Sequence, residues 1–350
     1  MYDIAIIGLG PAGATIARLL EPSKKVIAID RKGGEKGVFS KPCGGLLAPD
    51  AQKALSRFNL TLPKEVLVDP QIFAVKTMDL KQNLMRYYRR FYLNLDRRKF
   101  DRWLISLIPG GVEIATEACC QTIKKAGELY EITYTQGETE RTITARHIIG
   151  ADGSDSTVRK ILFPGKKIRQ YLAIQQWFAE KHQVPFYACL FDRKITDCYC
   201  WSISKDGYFI LGGAFPRKAG KERFTLLKNK LGDGFTFGEA VKTEACPVSR
   251  PRGLREFCTA REGAFLIGEA AGFISPSSLE GISYALHSAR VLAEVLNSNC
   301  KNPARKYRLK TFPIKIKLVL KNLKTPFMYH PLLRKIVMKT GIGTVKVVAR

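Results

Sequence analysis

Gly8, Gly10 and Gly13 stand in the spacing G-x-G-x-x-G directly after the short apolar run 4–7. Each glycine suits phosphate chemistry in its own way. The first permits a tight turn, the second lets backbone approach a pyrophosphate, and the third lets a helix pack closely on a strand. Residues 14–20 then read as a helix. Such a helix turns its unpaired N–H groups and the positive end of its dipole toward bound phosphates. A second apolar run, 26–29, ends in Asp30 and Arg31. It lies about 20 residues past the glycines, where an acid can hold a ribose hydroxyl. Strand, glycines, helix, strand and acid in this order predict a dinucleotide site, with NAD and FAD both compatible at this point.

Two later segments repeat the device of an apolar run feeding a glycine turn. Residues 147–151 lead into Gly150-Ala151-Asp152-Gly153-Ser154, and residues 264–267 lead into Gly268-Glu269-Ala270-Ala271-Gly272. Between them, Tyr199, Trp201 and Ile203 alternate along a strand-like run and so share one face. They can form an apolar wall for a prenyl chain or an aromatic ring, or they can be ordinary sheet core.

The elements that must position these residues follow from periodicity. Helices are predicted at 49–58, 96–104 and 280–296, and loosely alternating strands across 66–95. Runs near 112–124, 129–135 and 139–145, with turns at Gly127 and Gly137, predict a β-meander. Further strands are expected at 186–191, 198–203 and 208–215, and a loop at 31–38. No internal repeat interrupts this plan. A nucleotide domain is visited three times, by 1–65, 96–167 and 250–300, with a substrate domain of 66–95 and 168–249 and a basic helical region at 301–350.

Composition narrows the classes. The 350 residues are 45% apolar, enough for a sizeable core. No run approaches the roughly 18 apolar residues of a membrane span, and none resembles a signal peptide. Nine scattered cysteines with no C-x-x-C pair read as reduced thiols of a cytoplasmic protein, and no metal-ligand spacing is present. The net charge of +27 implies an anionic partner, or simply solubility. It is unevenly placed, because no Asp or Glu follows Glu294 while Lys and Arg recur to Arg350. Residues 306–324 interleave basic and apolar side chains, with a break at Pro313, and 332–337 reads as a short helix. A basic amphipathic region of this kind suits an anionic membrane surface, such as the inner face of the cell membrane, or a cover over a site. Nucleic acid is disfavoured, since no reader motif accompanies the charge.

In combination these motifs resemble flavoproteins of the p-hydroxybenzoate hydroxylase fold, especially the geranylgeranyl reductase family, over about residues 1–296. The resemblance implies an α/β Rossmann-like FAD-binding domain of the glutathione reductase type, with an inserted antiparallel-sheet substrate domain. It implies that Gly8, Gly10, Ala12, Gly13, Asp30 and Arg31 hold the adenosine end of FAD. Arg97, in Arg97-x-x-Phe-Asp-x-x-Leu104, would reach flavin or pyrophosphate. Asp152-Gly153 and Gly268-Glu269 would form the second and third signatures, and Gly281-Ile282 would begin the helix facing the flavin. Lys41-Pro42-Cys43-Gly44-Gly45 is similar to the family's cysteine-glycine motif, which makes Cys43 the candidate active-site thiol. Tyr199-x-Trp201-x-Ile203-Ser204-Lys205 resembles its Tyr-x-Trp-x-Phe-Pro-Lys substrate motif, with Ile203 and Ser204 departing from it. Glu269 stands where aspartate is usual, so its contact with the cofactor must shift or gain a water.

The resulting expectation is an FAD-dependent oxidoreductase that reduces C=C bonds of an isoprenoid or other apolar substrate. NAD(P)H would dock transiently, or a donor protein would supply electrons. An aromatic monooxygenase using NAD(P)H and oxygen, a non-catalytic flavin carrier at membranes and, more distantly, a flavin-dependent halogenase are the rivals.

Overall fold

The computed structural model describes residues 1–33, 41–179, 187–232 and 237–348. Part of the expected 31–38 loop and Phe186 lie outside the described residues. The first strand, β1 (Tyr2–Ile7), buries Ile4, Ala5 and Ile6 because parallel neighbours flank it on both sides. The chain turns at Gly8 into α1 (Pro11–Leu19) and returns as β2 (Val26–Ile29). Helix α1 starts earlier than the apolar pattern suggests, since the fixed φ of Pro11 suits a first helical turn.

Next come β3 (Leu46–Leu47), α2 (Pro49–Arg57) and the hairpin β4 (Ile72–Asp79) and β5 (Leu84–Asn94). Helix α3 (Arg97–Ser106) begins at Asp96, whose carboxylate accepts from the N–H groups of Arg98 and Lys99. Strands β6 (Glu113–Ala115), β7 (Ala118–Ala126), β8 (Leu129–Gln136) and β9 (Thr139–Gly150) follow. The separate strand expected at 147–151 is the second half of β9. Nothing between Ala145 and His147 breaks the chain, so one strand pairs with β8 along most of its length and with β1 toward its end.

Beyond α4 (Thr157–Leu162) lie β10 (Gln170–Phe178), β11 (Tyr187–Phe191), β12 (Cys200–Lys205), β13 (Tyr208–Pro216), α5 (Gly220–Leu231) and β14 (Ala240–Ser249). Reading 168–250 as strands overlooks α5. Its Phe224, Leu227 and Leu231 recur at helical spacing and pack on Leu190, Leu211 and Phe215 behind the second sheet. Cys198 and Tyr199 precede β12 rather than begin it. The chain closes with β15 (Ala260–Arg261), β16 (Ala264–Leu266), α6 (Ile282–Asn297), α7 (Pro303–Lys310), α8 (Phe312–Asn322), α9 (Thr325–Tyr329) and α10 (Pro331–Thr340). The break expected at Pro313 falls at Thr311, between α7 and α8, and Pro313 sits in the first turn of α8, where a missing N–H costs nothing.

Two sheets result. The first runs β15-β16-β9-β1-β2-β6, parallel through β16, β9, β1, β2 and β6, with the β7–β8 meander attached through β9. The second runs β14-β10-β13-β12-β11-β4-β5-β3 and is antiparallel except between β11 and β4. Leu46–Leu47 thus belong by pairing to the second sheet although they lie early in the chain. Helix α6 is buried nearly all round, with Ala289 and Leu292 against Ile16 and Ala17 of α1. No helix among the described residues is long and apolar enough to cross a membrane.

Candidate active site

A cavity of about 800 Å³ runs from the glycine turn of β1 to the second sheet. At one end lie Gly8, Gly10, Ala12, Asp30 and Arg31. Cys43, Gly44, Gly45, Arg97, Asp152, Gly153, Glu269, Gly281 and Ile282 line its middle, and Tyr199 and Trp201 its far wall. Residues from many distant stretches of sequence therefore meet at one space. Gly13 and Gly268 do not line it and act through backbone packing instead. A Cβ at Gly13 would overlap the carbonyl of Gly8, and Gly268, at φ +55°, brings its N–H to Ser288 Oγ at 2.9 Å.

The glycine turn fits a phosphate group. Gly8 has φ +98°, and a Cβ there would lie 2.7 Å from Ala151 O, so the turn is pressed against the end of β9. Gly10 differs, since a Cβ on it would meet no protein atom within 4 Å. The same holds for Gly153. These two positions leave room for something that is not protein. Asp30 accepts from the N–H of Leu9 and, at 2.6 Å, from that of Lys32. A carboxylate has about four acceptor sites, which leaves capacity for a ribose hydroxyl. Asp152 Oδ1 is buried with no hydrogen-bond partner while Oδ2 accepts from Val158 N–H at 3.1 Å. An orphaned acceptor in the wall is what a hydroxyl-bearing ligand would satisfy.

Charge is concentrated in the middle of the cavity. Arg97 Nε donates to Asp101 Oδ1 at 2.8 Å, and Lys32 donates to Oδ2 at 2.8 Å. Burial opposes ionisation of Asp101, but the two cations outweigh it and hold its pKa below the usual carboxylate range. Each Glu269 oxygen has a protein partner, one Lys41 and the other Ser249 N–H at 2.8 Å, and the carboxylate keeps further acceptor sites. The extra methylene of Glu269 thus reaches a lysine 228 residues away in sequence. Burial disfavours the charged lysine, yet the carboxylate beside it lifts the Lys41 pKa above its ordinary value.

Cys43 accepts from Gly45 N–H, with Sγ 3.4 Å from the nitrogen. Its loop lies directly on β12. A Cβ on Gly44 would be 2.6 Å from Ile203 Cδ1, and one on Gly45, at φ +66°, would strike Leu95 O and Lys205 Nζ. The two glycines are needed for this close approach. Lys205 is buried and donates to Leu95 O at 2.6 Å, and burial lowers its pKa to about 8.

On the far wall the rings of Tyr199 and Trp201 meet at 5.7 Å between centroids, tilted by 57°, with Tyr92, Tyr187 and Phe191 also lining the space. Tyr199 Oη donates to Ser278 O at 2.8 Å, and burial pushes its pKa well above the usual phenol value. It is therefore a wall residue with its proton committed. Trp201 Nε1 is buried without a partner.

Several lining residues carry no motif and escape sequence reasoning, among them Gln175, Cys189 and Cys246 of the second sheet. Glu280 also lines the space and accepts from Ser283 N–H at 2.8 Å and Ser283 Oγ at 2.7 Å. Burial raises its pKa despite those bonds. Lys321, Phe327, Met328, Val337 and Met338 of the C-terminal helices close the side beyond the aromatic wall.

Two sheets around one cavity, with a glycine turn at one end and an aromatic wall at the other, make up a fold of the p-hydroxybenzoate hydroxylase type. A geranylgeranyl bacteriochlorophyll reductase-like protein from Thermoplasma acidophilum superimposes with a TM-score of 0.80 at 18% identity, covering 96% of this chain and 90% of that one. The p-nitrophenol 4-monooxygenase PnpA from Pseudomonas putida gives 0.71 at 13% identity, covering 99% of each. The chain is also 52% identical over 345 residues to Protein CbrA of Escherichia coli O6:H1, covering 98% of this chain and 94% of the relative, and it belongs to the CbrA family. No protein-family model matches.

Proposed function

We propose that the protein is an FAD-dependent oxidoreductase that reduces C=C bonds of an isoprenoid or comparably apolar substrate. The observation that carries this reading is the convergence of the Gly8, Asp152 and Glu269 segments on one cavity whose opposite wall is aromatic. The turn at Gly8 to Gly13, with Asp30 and Arg31, would hold the adenosine end of FAD, and Arg97, Asp152, Gly153 and Glu269 the remainder. Open space over Gly10 and Gly153 and the unpartnered Asp152 Oδ1 support that fit.

When reduced, FAD supplies a hydride. The chain's own residues have three tasks. Tyr92, Tyr187, Tyr199 and Trp201 lay an apolar chain along the wall and exclude water. The N-terminus of α6, with Gly281 and Ile282 at the cavity, favours negative charge there. The second alkene carbon needs a proton, and Glu280, which lines the cavity with its pKa raised by burial, can hold one above the usual carboxylate range. Cys43 stands beside the same space and is available to assist.

The resemblance in fold to a monooxygenase keeps oxygen chemistry as the competing outcome. Anaerobic photoreduction of the FAD-loaded protein separates the two. Under nitrogen, geranylgeranyl diphosphate should reoxidise the bound flavin and gain one H2 per saturated bond. Reoxidation that requires air and places oxygen on p-nitrophenol would replace the reductase reading.

A further inference from the structure

More than half of the exposed large apolar side chains among the described residues lie beyond residue 305. They are ordered by the helices that carry them. On α10, Arg334 and Met338 point into the protein, while Leu332 (64% exposed) and Ile336 (60%) stack on the opposite face. On α8, Ile314 and Leu318 are buried, whereas Leu320 and Leu323 face outward between Lys317 and Lys324. Past α10 the chain runs beside β5, where Thr344 bridges to Tyr88 and Val345 N–H donates to Tyr87 O at 2.8 Å. The chain carrying exposed Ile342 thus runs beside β5, where Met85 and Phe91 are exposed as well.

Soluble monomers rarely expose so much apolar surface in one region without using it. The segment's own charge has one sign, since no Asp or Glu follows Glu294, while Lys317 of α8 lies 3.7 Å from the carboxylate of Asp50. We propose that α8, α9, α10 and the chain after them form a docking face for an anionic lipid bilayer. The apolar side chains enter the boundary between head groups and acyl chains while the flanking lysines meet the head groups. The face also contains an opening of the cavity, for the lining residues Phe327 and Val337 are themselves exposed. A lipid-soluble molecule would then pass from bilayer to cavity without crossing water. This proposal does not require FAD to bind, so it stands or falls apart from the redox reading.

Co-sedimentation of the full chain with vesicles tests it. Vesicles of phosphatidylglycerol and phosphatidylcholine should bind the protein, pure phosphatidylcholine should bind it at least tenfold more weakly, and 0.5 M salt should release it. Joint K317E and K324E, both exposed and outside the cavity, should weaken binding by about tenfold or more, at roughly 1 kcal/mol per basic residue. Leu332→Asp with Ile336→Asp should weaken it independently, with circular dichroism unchanged in each variant. Equal partition onto neutral and anionic vesicles, or none onto either, would overturn the proposal. So would a dimer dissolved by the Leu332→Asp and Ile336→Asp pair, or an RNA duplex that binds through Lys317 and Lys324 while vesicles do not.

Discussion

Lys205 shows how a single side chain can record the closeness of two motifs. It ends the strand of the aromatic wall and lies beneath the Gly44-Gly45 turn, with its ammonium on Leu95 O. Burial lowers its pKa from 10.5 to about 8. The unfolded chain therefore binds more protons than the folded one between those values, and stability rises with pH across that window. The cost at neutral pH is about 3 kcal/mol relative to an uncharged side chain. Urea midpoints of the wild type and Lys205→Met, measured from pH 7 to 11, should show the wild type gaining on the variant as pH climbs from about 8 to 10.5. A pH-independent difference would mean that Lys205 keeps its ordinary titration. At this scale much of the site was legible in advance, because glycines and acids at strand ends have a phosphate-binding logic of their own. The pairing of Lys41 with Glu269 was not, because nothing local ties residues so distant in sequence.

Periodicity recovered the helices and strands that bury one continuous face and failed where a short element borrows stability from its neighbours. Helix α5 carries only a sparse apolar stripe, and it forms because the back of the second sheet needs covering. Helix α10 is a similar case, and its anchor is polar. Arg334 Nε donates to Asp79 Oδ2 at 2.9 Å, both residues are buried, and the guanidinium lies over the ring of Phe191. Removing one partner leaves a buried uncompensated charge. Arg334→Met should cost about 3–5 kcal/mol and speed amide exchange in α10 before the rest of the protein. Adding Asp79→Leu should restore part of the loss, since a buried pair replaced on both sides by apolar groups is close to neutral. An unchanged exchange rate in α10 would show that the pair does not hold the helix.

For the whole molecule, the arrangement joins a parallel nucleotide-type sheet, an antiparallel sheet with an aromatic face, and a basic helical cover around one space. The net charge of +27 and its bias toward the C-terminal region were visible in the sequence, but the place of that region beside the cavity required the fold. The redox reading depends on the Gly10 end of the cavity receiving a pyrophosphate. Gly10 permits a sharp test, because a side chain there would meet no protein and its φ of −70° suits any L residue, so Gly10→Val should fold normally. Titration of the purified protein with FAD, followed by flavin fluorescence, should show one FAD per wild-type chain and affinity at least tenfold weaker, about 1.4 kcal/mol, in the folded Gly10→Val variant. A wild-type protein that takes up no FAD, or a variant that binds it equally well, would contradict the assignment.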